Sequence, residues 1–261
     1  MANRGPYPRQ EAQELAWDAM EALADEDVEG ATAKCRQALD HYPDCVDARL
    51  MLAEIEIDDL DQYIDEVRET VTAGEYDLGS EYFENEQGNF WLIYETRPLM
   101  RAMESLALAL VERGTQAAVD EAIAVMEEML ELNPNDNQGV RDVLVGCHLQ
   151  QKRYADAAAL LERYDDDWLA TMAWARVLLA HATGDEAEAG RLLEAARARN
   201  PHVELYLTGR KRRPRDRPAY YSPGDEAEAV FCADHLWEAW KRHPAAKRWL
   251  KGEVAGGTGT G

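Results

Sequence analysis

Three segments of the chain repeat one spacing. A small residue is followed four positions on by an apolar one, three later by a small or apolar one, and five beyond that by proline. They are Ala31, Cys35, Ala38 and Pro43; Ala122, Met126, Met129 and Pro134; and Ala189, Leu193, Ala196 and Pro201. A fourth segment, Ala157, Leu161 and Tyr164, keeps the register but ends in Asp165-Asp166-Asp167. Steps of four and three put these side chains on one face of a helix. The small residue lets a neighbouring helix approach, and the larger one fills the gap a turn later. Proline cannot continue the helix, so it forces a turn. Pro134 and Pro201 lie 67 residues apart, which is about two periods of ~34 residues.

The stretches ahead of these segments also have helical periodicity: Leu50, Leu52 and Ala53; Met103, Leu106, Ala107 and Leu110; Val143, Leu144 and Cys147; Ala173, Val177, Leu178 and Ala180. Gly114 and Gly184 sit where each hairpin must turn. The alternating β-branched pattern of strands is nearly absent. The spacing resembles the second helix of the tetratricopeptide (TPR) repeat. That resemblance predicts an all-α, right-handed solenoid of about five helix pairs. Residues 1–74 and 98–205 read as repeats. Residues 75–97, with Gly79, Gly88 and six aromatics between Tyr76 and Tyr94, read as an irregular insertion. A basic loop and capping helices are expected over 206–251, with Ser222 as the N-cap of the main helix. A disordered Gly/Thr-rich tail is expected over 252–261.

A narrower resemblance rests on Glu95-Thr96-Arg97-Pro98-Leu99-Met100-Arg101-Ala102 and on the run Asn133-Pro134-Asn135-Asp136-Asn137-Gln138-Gly139-Val140-Arg141. Asn200-Pro201-His202-Val203, Tyr206-Leu207 and Tyr221-Ser222-Pro223-Gly224 extend it. Together they are similar to the suppression-of-tumorigenicity-7 family and its bacterial TPR relatives, over roughly residues 85–250. Leu99 departs from the aromatic usual there. The resemblance implies a helical repeat protein and barely narrows the activity.

Charge adds a second constraint. The chain has 28 basic and 51 acidic residues, a net −23. Residues 1–165 hold 13 basic and 37 acidic residues, and 166–261 hold 15 and 14. Nearly all the imbalance is therefore N-terminal. Such an acid excess argues against nucleic acid or an anionic membrane as a general partner. Six cations, Arg210, Lys211, Arg212, Arg213, Arg215 and Arg217, form the opposite extreme, with Tyr206, Tyr220 and Tyr221 nearby. This run is expected to dock on the chain's own acidic repeats, to lie in solvent, or to meet an acidic partner. Single-stranded nucleic acid is the remaining reading, because cations interleaved with aromatics suit it.

Candidate binding residues follow from the repeat register, since first helices line the inner face. They are Asp47, Glu54, Arg97, Arg101, Asn137, Gln138, Arg141, His148, Trp174 and His181. Arg97 and Arg101 share a helix face. With Arg141 they either converge on a carboxylate or phosphate or pair with Glu95, Glu104 or Asp142. Asp136 or Asn137 is expected to cap the following helix. Trp174 is either a flat anchor for a partner or a core residue. Asp47 and Glu54 favour a basic ligand.

Cys35, Cys45, Cys147 and Cys232 form no CxxC pair, so no zinc ribbon is expected. Neither a metal nor a cofactor is expected. No GxGxxG, P-loop, GxSxG or HExxH motif occurs. There is no apolar run of membrane-spanning length and no signal-peptide pattern in the first residues, which suggests a cytoplasmic protein. The expected function is a non-enzymatic scaffold that binds a protein or peptide on its concave face. The alternatives are a nucleic-acid- or ribosome-associated factor using residues 210–217, and an anion or small-molecule binder at the arginines.

Overall fold

The computed structural model describes residues 8–256, and every regular element among them is helical. None of these helices is long and apolar enough to cross a membrane. The chain divides into two compact units, residues 1–140 and 141–261.

The first unit contains α1 (Pro8–Ala24), α2 (Val28–His41), α3 (Val46–Glu56), α4 (Leu60–Leu78), the short α5 (Ser80–Asn85), a 3-10 turn at Phe90–Leu92, α6 (Arg97–Arg113) and α7 (Gln116–Leu132). Its hairpins are α1–α2, α3–α4 and α6–α7. The second unit contains α8 (Val140–Gln150), α9 (Tyr154–Arg163), α10 (Ala170–Ala182), α11 (Glu186–Arg199), the short α12 (Val203–Leu207), α13 (Glu226–Arg242) and α14 (Pro244–Gly256). There the hairpins are α8–α9 and α10–α11. The fold is thus an all-α, TPR-like array of helix pairs.

The repeated alanines do what their spacing implies. Ala31, Ala122, Ala157 and Ala189 are all completely enclosed. In α1–α2 both helices use small residues, Ala12, Ala16 and Ala19 against Ala31, Cys35 and Ala38, so the backbones approach closely. Four hairpins also turn alike. A left-handed residue (Glu26, Gly114, Lys152 or Gly184) stands directly before the residue that starts the second helix. At three of them that next residue, Asp27, Thr115 or Asp185, caps the helix by accepting a backbone N–H three positions on.

Some expected boundaries move. Within 75–97, Glu75–Leu78 form the last turn of α4, and Arg97 opens α6. Between them, Phe90 is fully buried against Phe83, with ring centroids 5.1 Å apart. Ser222 does not cap α13. Asp225 does, accepting from the Glu228 N–H at 2.7 Å. The last helix continues to Gly256, past the expected start of the tail at 252, and residues 257–261 lie outside the described residues.

Candidate functional site

In the second unit the first-helix face is covered by the chain itself. Helix α13 lies along α8 and α10. A Cβ built on Gly146 of α8 would fall 2.2 Å from the His235 carbonyl oxygen of α13, so only glycine permits this approach. Glu228 of α13 is buried and accepts three hydrogen bonds. They come from the Ala170 N–H at 3.0 Å, the Gly224 N–H at 2.7 Å and the Asn200 side-chain amide at 2.9 Å. Ala170 opens α10, whose own N-cap, Leu169, has no side chain able to accept. Glu228 therefore caps α10 from another helix, where a carboxylate also suits the positive end of the helix dipole. Further along, Tyr154 and His243 are hydrogen-bonded at 2.9 Å, and the ring of His181 meets that of Trp249 in α14 with centroids 5.0 Å apart.

This packing decides the three inner-face candidates of the second unit. Trp174 is fully buried, so it is a core residue and not an anchor for a partner. His148 is buried as well, and desolvation pushes its pKa down to about 4. His181 is half-buried under α14.

Two of the three arginines are already paired with carboxylates. Arg101 makes two parallel bonds to Asp47, at 2.9 and 2.6 Å, and Gln13 donates to the same carboxylate at 2.7 Å. Asp47 is thereby buried and already paired, so it is not presented to a basic ligand as expected. Arg97 donates to the Trp91 carbonyl at 2.8 Å and lies over the Tyr94 ring at 4.4 Å. Arg141 pairs with Asp167 at 2.7 Å. Asp47 thus engages Arg101, and Asp167 engages Arg141.

Other candidates have structural partners or face solvent. Asp136, left-handed at φ 48°, caps α8 through the Val140 N–H at 2.9 Å. Asn137 is exposed beside it. Gln138 donates to the Met100 carbonyl at 3.0 Å and to Glu104 at 2.6 Å. Burial pushes the Glu104 carboxyl above its ordinary range, and the Gln138 bond opposes that rise. Glu54 is exposed on α3.

The basic run is half engaged. Lys211 pairs with Glu226, Arg213 with Asp234, and Arg217 with Asp234 at 2.9 Å. Arg213 also stands 4.7 Å over the Trp237 ring. These carboxylates belong to α13, so the run docks on the helix that follows it. Arg210, Arg212 and Arg215 are exposed.

The first unit holds the opening that repeat spacing did not reveal. A cavity of about 560 Å³ is bounded by α1, the α2–α3 turn, the end of α4 and the start of α6. Trp17, Tyr42, Val46, Leu78, Pro98 and Leu99 supply its apolar wall. Trp17 and Tyr94 stand exposed at the mouth, at 48% and 70% of their full area. A smaller space of about 150 Å³ continues along Gln13, Arg97 and Arg101. The one sequence signal was Trp17. It falls off the Ala12–Ala16–Ala19 stripe of α1, so the largest side chain of that helix faces away from its own hairpin.

A family model for the tetratricopeptide repeat matches residues 115–167. No curated protein matches the chain. The match spans α7 to the turn after α9, so it covers the second helix of one pair and both helices of the next. Together with the hairpins described above, it supports a tetratricopeptide-repeat protein, a class that suggests protein interaction.

Proposed function

We propose that this chain is a non-catalytic scaffold that binds a protein or peptide on the first-helix face of its first unit. The observation that carries this reading is a contrast between the two units. Where α13 covers α8 and α10, the large first-helix side chains are enclosed. In the first unit, Trp17 on α1, Glu54 on α3 and Leu108 on α6 remain exposed. Repeat arrays present such faces to partners, and large exposed aromatics are common anchors. A cytoplasmic setting belongs to this reading, and the four free, buried cysteines support it. Kinship with the suppression-of-tumorigenicity-7 family is likewise proposed, on the sequence motifs alone.

The test is capture of partners from native lysate by the whole chain and by two variants. Glu54→Lys with Leu108→Asp alters the first-helix face, and Ala124→Lys alters the exposed side of α7. Partners lost with the first variant and kept with the second are expected. Equal loss with both, or with neither, overturns the reading.

A reading as an anion binder at the arginines loses support, because Arg101 and Arg141 already pair with carboxylates. Nucleic-acid binding through 210–217 rests only on Arg210, Arg212 and Arg215, since the other three cations pair with α13.

A further inference from the structure

We infer that the cavity of the first unit receives a cationic peptide segment carrying one bulky apolar side chain, with the apolar group inside and Lys or Arg at the rim. This deepens the scaffold reading and rests on it.

The argument begins with size and polarity. A volume of about 560 Å³ falls within the ~300–1,000 Å³ of sites that enclose a small ligand, and it exceeds what one side chain fills. The wall is mainly apolar, and the aromatics at the mouth are rigid surfaces with little rotamer freedom to lose on binding. Such a space selects an aromatic or branched aliphatic group together with the backbone next to it.

Charge then fixes what flanks that group. Three cations lie at or beside the cavity, and each is already engaged. Arg9 pairs with Asp77 at 3.1 Å, Arg101 with Asp47, and Arg97 with the Trp91 carbonyl and the Tyr94 ring. The carboxylates are not balanced in the same way. Asp77 also accepts from the Tyr42 hydroxyl, but Asp44 and Glu95 line the cavity with no cation paired to them among the described residues. Around them, residues 1–140 hold 9 basic and 33 acidic residues, a net −24. An anionic segment meets repulsion at short and long range. A cationic one finds two free carboxylates at the rim and a field that speeds its approach.

The test uses the full chain. A random peptide library is selected against it, and the enriched peptides are measured against the chain and against two variants. Trp17→Ala with Tyr94→Ala removes the mouth, and Asp44→Asn with Glu95→Gln removes the rim charge. These four side chains are exposed or half-buried, and unchanged thermal melts establish that the variants fold. Enriched peptides are expected to carry a bulky apolar residue flanked by Lys or Arg. The first variant is expected to weaken binding at least about tenfold, and the second to flatten the dependence of affinity on salt. Enrichment of acidic peptides, or no enrichment, overturns the inference. Peptides that bind the Trp17/Tyr94 variant undiminished overturn the cavity as the site but leave the scaffold reading standing. That reading falls separately, if partner capture is insensitive to Glu54→Lys with Leu108→Asp.

Discussion

Gly146 shows how far a single atom matters in this chain. In a helix interior, glycine is ordinarily less favourable than alanine by about 1 kcal/mol, so Gly146→Ala would stabilise an isolated α8. Here the added Cβ meets a backbone carbonyl oxygen at 2.2 Å, and that oxygen moves only if α13 moves. The sign therefore reverses. Gly146→Ala is expected to lower stability by about 1–3 kcal/mol, the usual cost of overpacking, read as a lower urea midpoint. A gain in stability would show that α13 is not held against α8. Asp47 offers a second case. Removing it leaves the Arg101 guanidinium and the Gln13 amide without their acceptor. Arg101 keeps about a third of its exposure, so water softens the loss. Asp47→Ala is expected to cost about 2 kcal/mol, less than a fully buried pair. The cysteines behave as core atoms. Burial pushes Cys35 and Cys45 up to about 11 and Cys147 to about 12, and the thiolate is the reactive form. Native protein at neutral pH should resist alkylation at all four thiols, and urea should expose them together with unfolding.

Helices show both the reach and the limit of sequence pattern. The second helices were legible because their alanines recur at fixed short spacings, and four of them are indeed fully enclosed. Helix α13 was legible as a capping helix, but its place was not. What holds it are pairs far apart in the chain: Ala170 with Glu228, 58 residues apart, and Tyr154 with His243, 89 apart. No local period encodes such pairs. Between the two readings of Trp174, anchor or core, register could not choose; its burial makes it core. The cavity of the first unit was missed since it forms where four non-consecutive segments meet. Glu228 gives the helix-level test. Glu228→Ala strips the acceptor from two backbone N–H groups and the Asn200 amide. It is expected to cost about 3 kcal/mol, with faster hydrogen exchange concentrated at the start of α10. Loss spread evenly over the unit would mean that Glu228 does not act as that cap.

The two units differ in what threatens them. With −24 on residues 1–140 and +1 on 141–261 (19 basic and 18 acidic residues), repulsion belongs almost wholly to the first. Added salt should slow hydrogen exchange in α1–α7 more than in α8–α14, because screening relieves like-charge repulsion. Acid should act in the opposite place. Burial lowers the pKa of His148 and His235 to about 4, and that of His243 in the same direction, and all three lie in the second unit. Unfolded, these groups titrate near 6.5, so between about 6.5 and 4 the unfolded chain binds more protons. Their contribution is complete above 6.5 and is lost as pH falls toward 4. Exchange in the second unit should accelerate across that window, and equal acceleration in both units would contradict the assignment.

The trans cap on α10 also sets an order of events during synthesis. The first unit can settle hairpin by hairpin as it leaves the ribosome, since domains emerge and fold from the N-terminal end. The second has no such freedom. Helix α10 emerges long before Glu228, and α8 before the carbonyl that fits against Gly146. Until α13 arrives, Trp174 and its neighbours must wait uncovered. Helix α13 is therefore a deadline as much as a cap: a nascent chain halted before Glu226 would carry a finished acidic unit joined to a sticky, incomplete one.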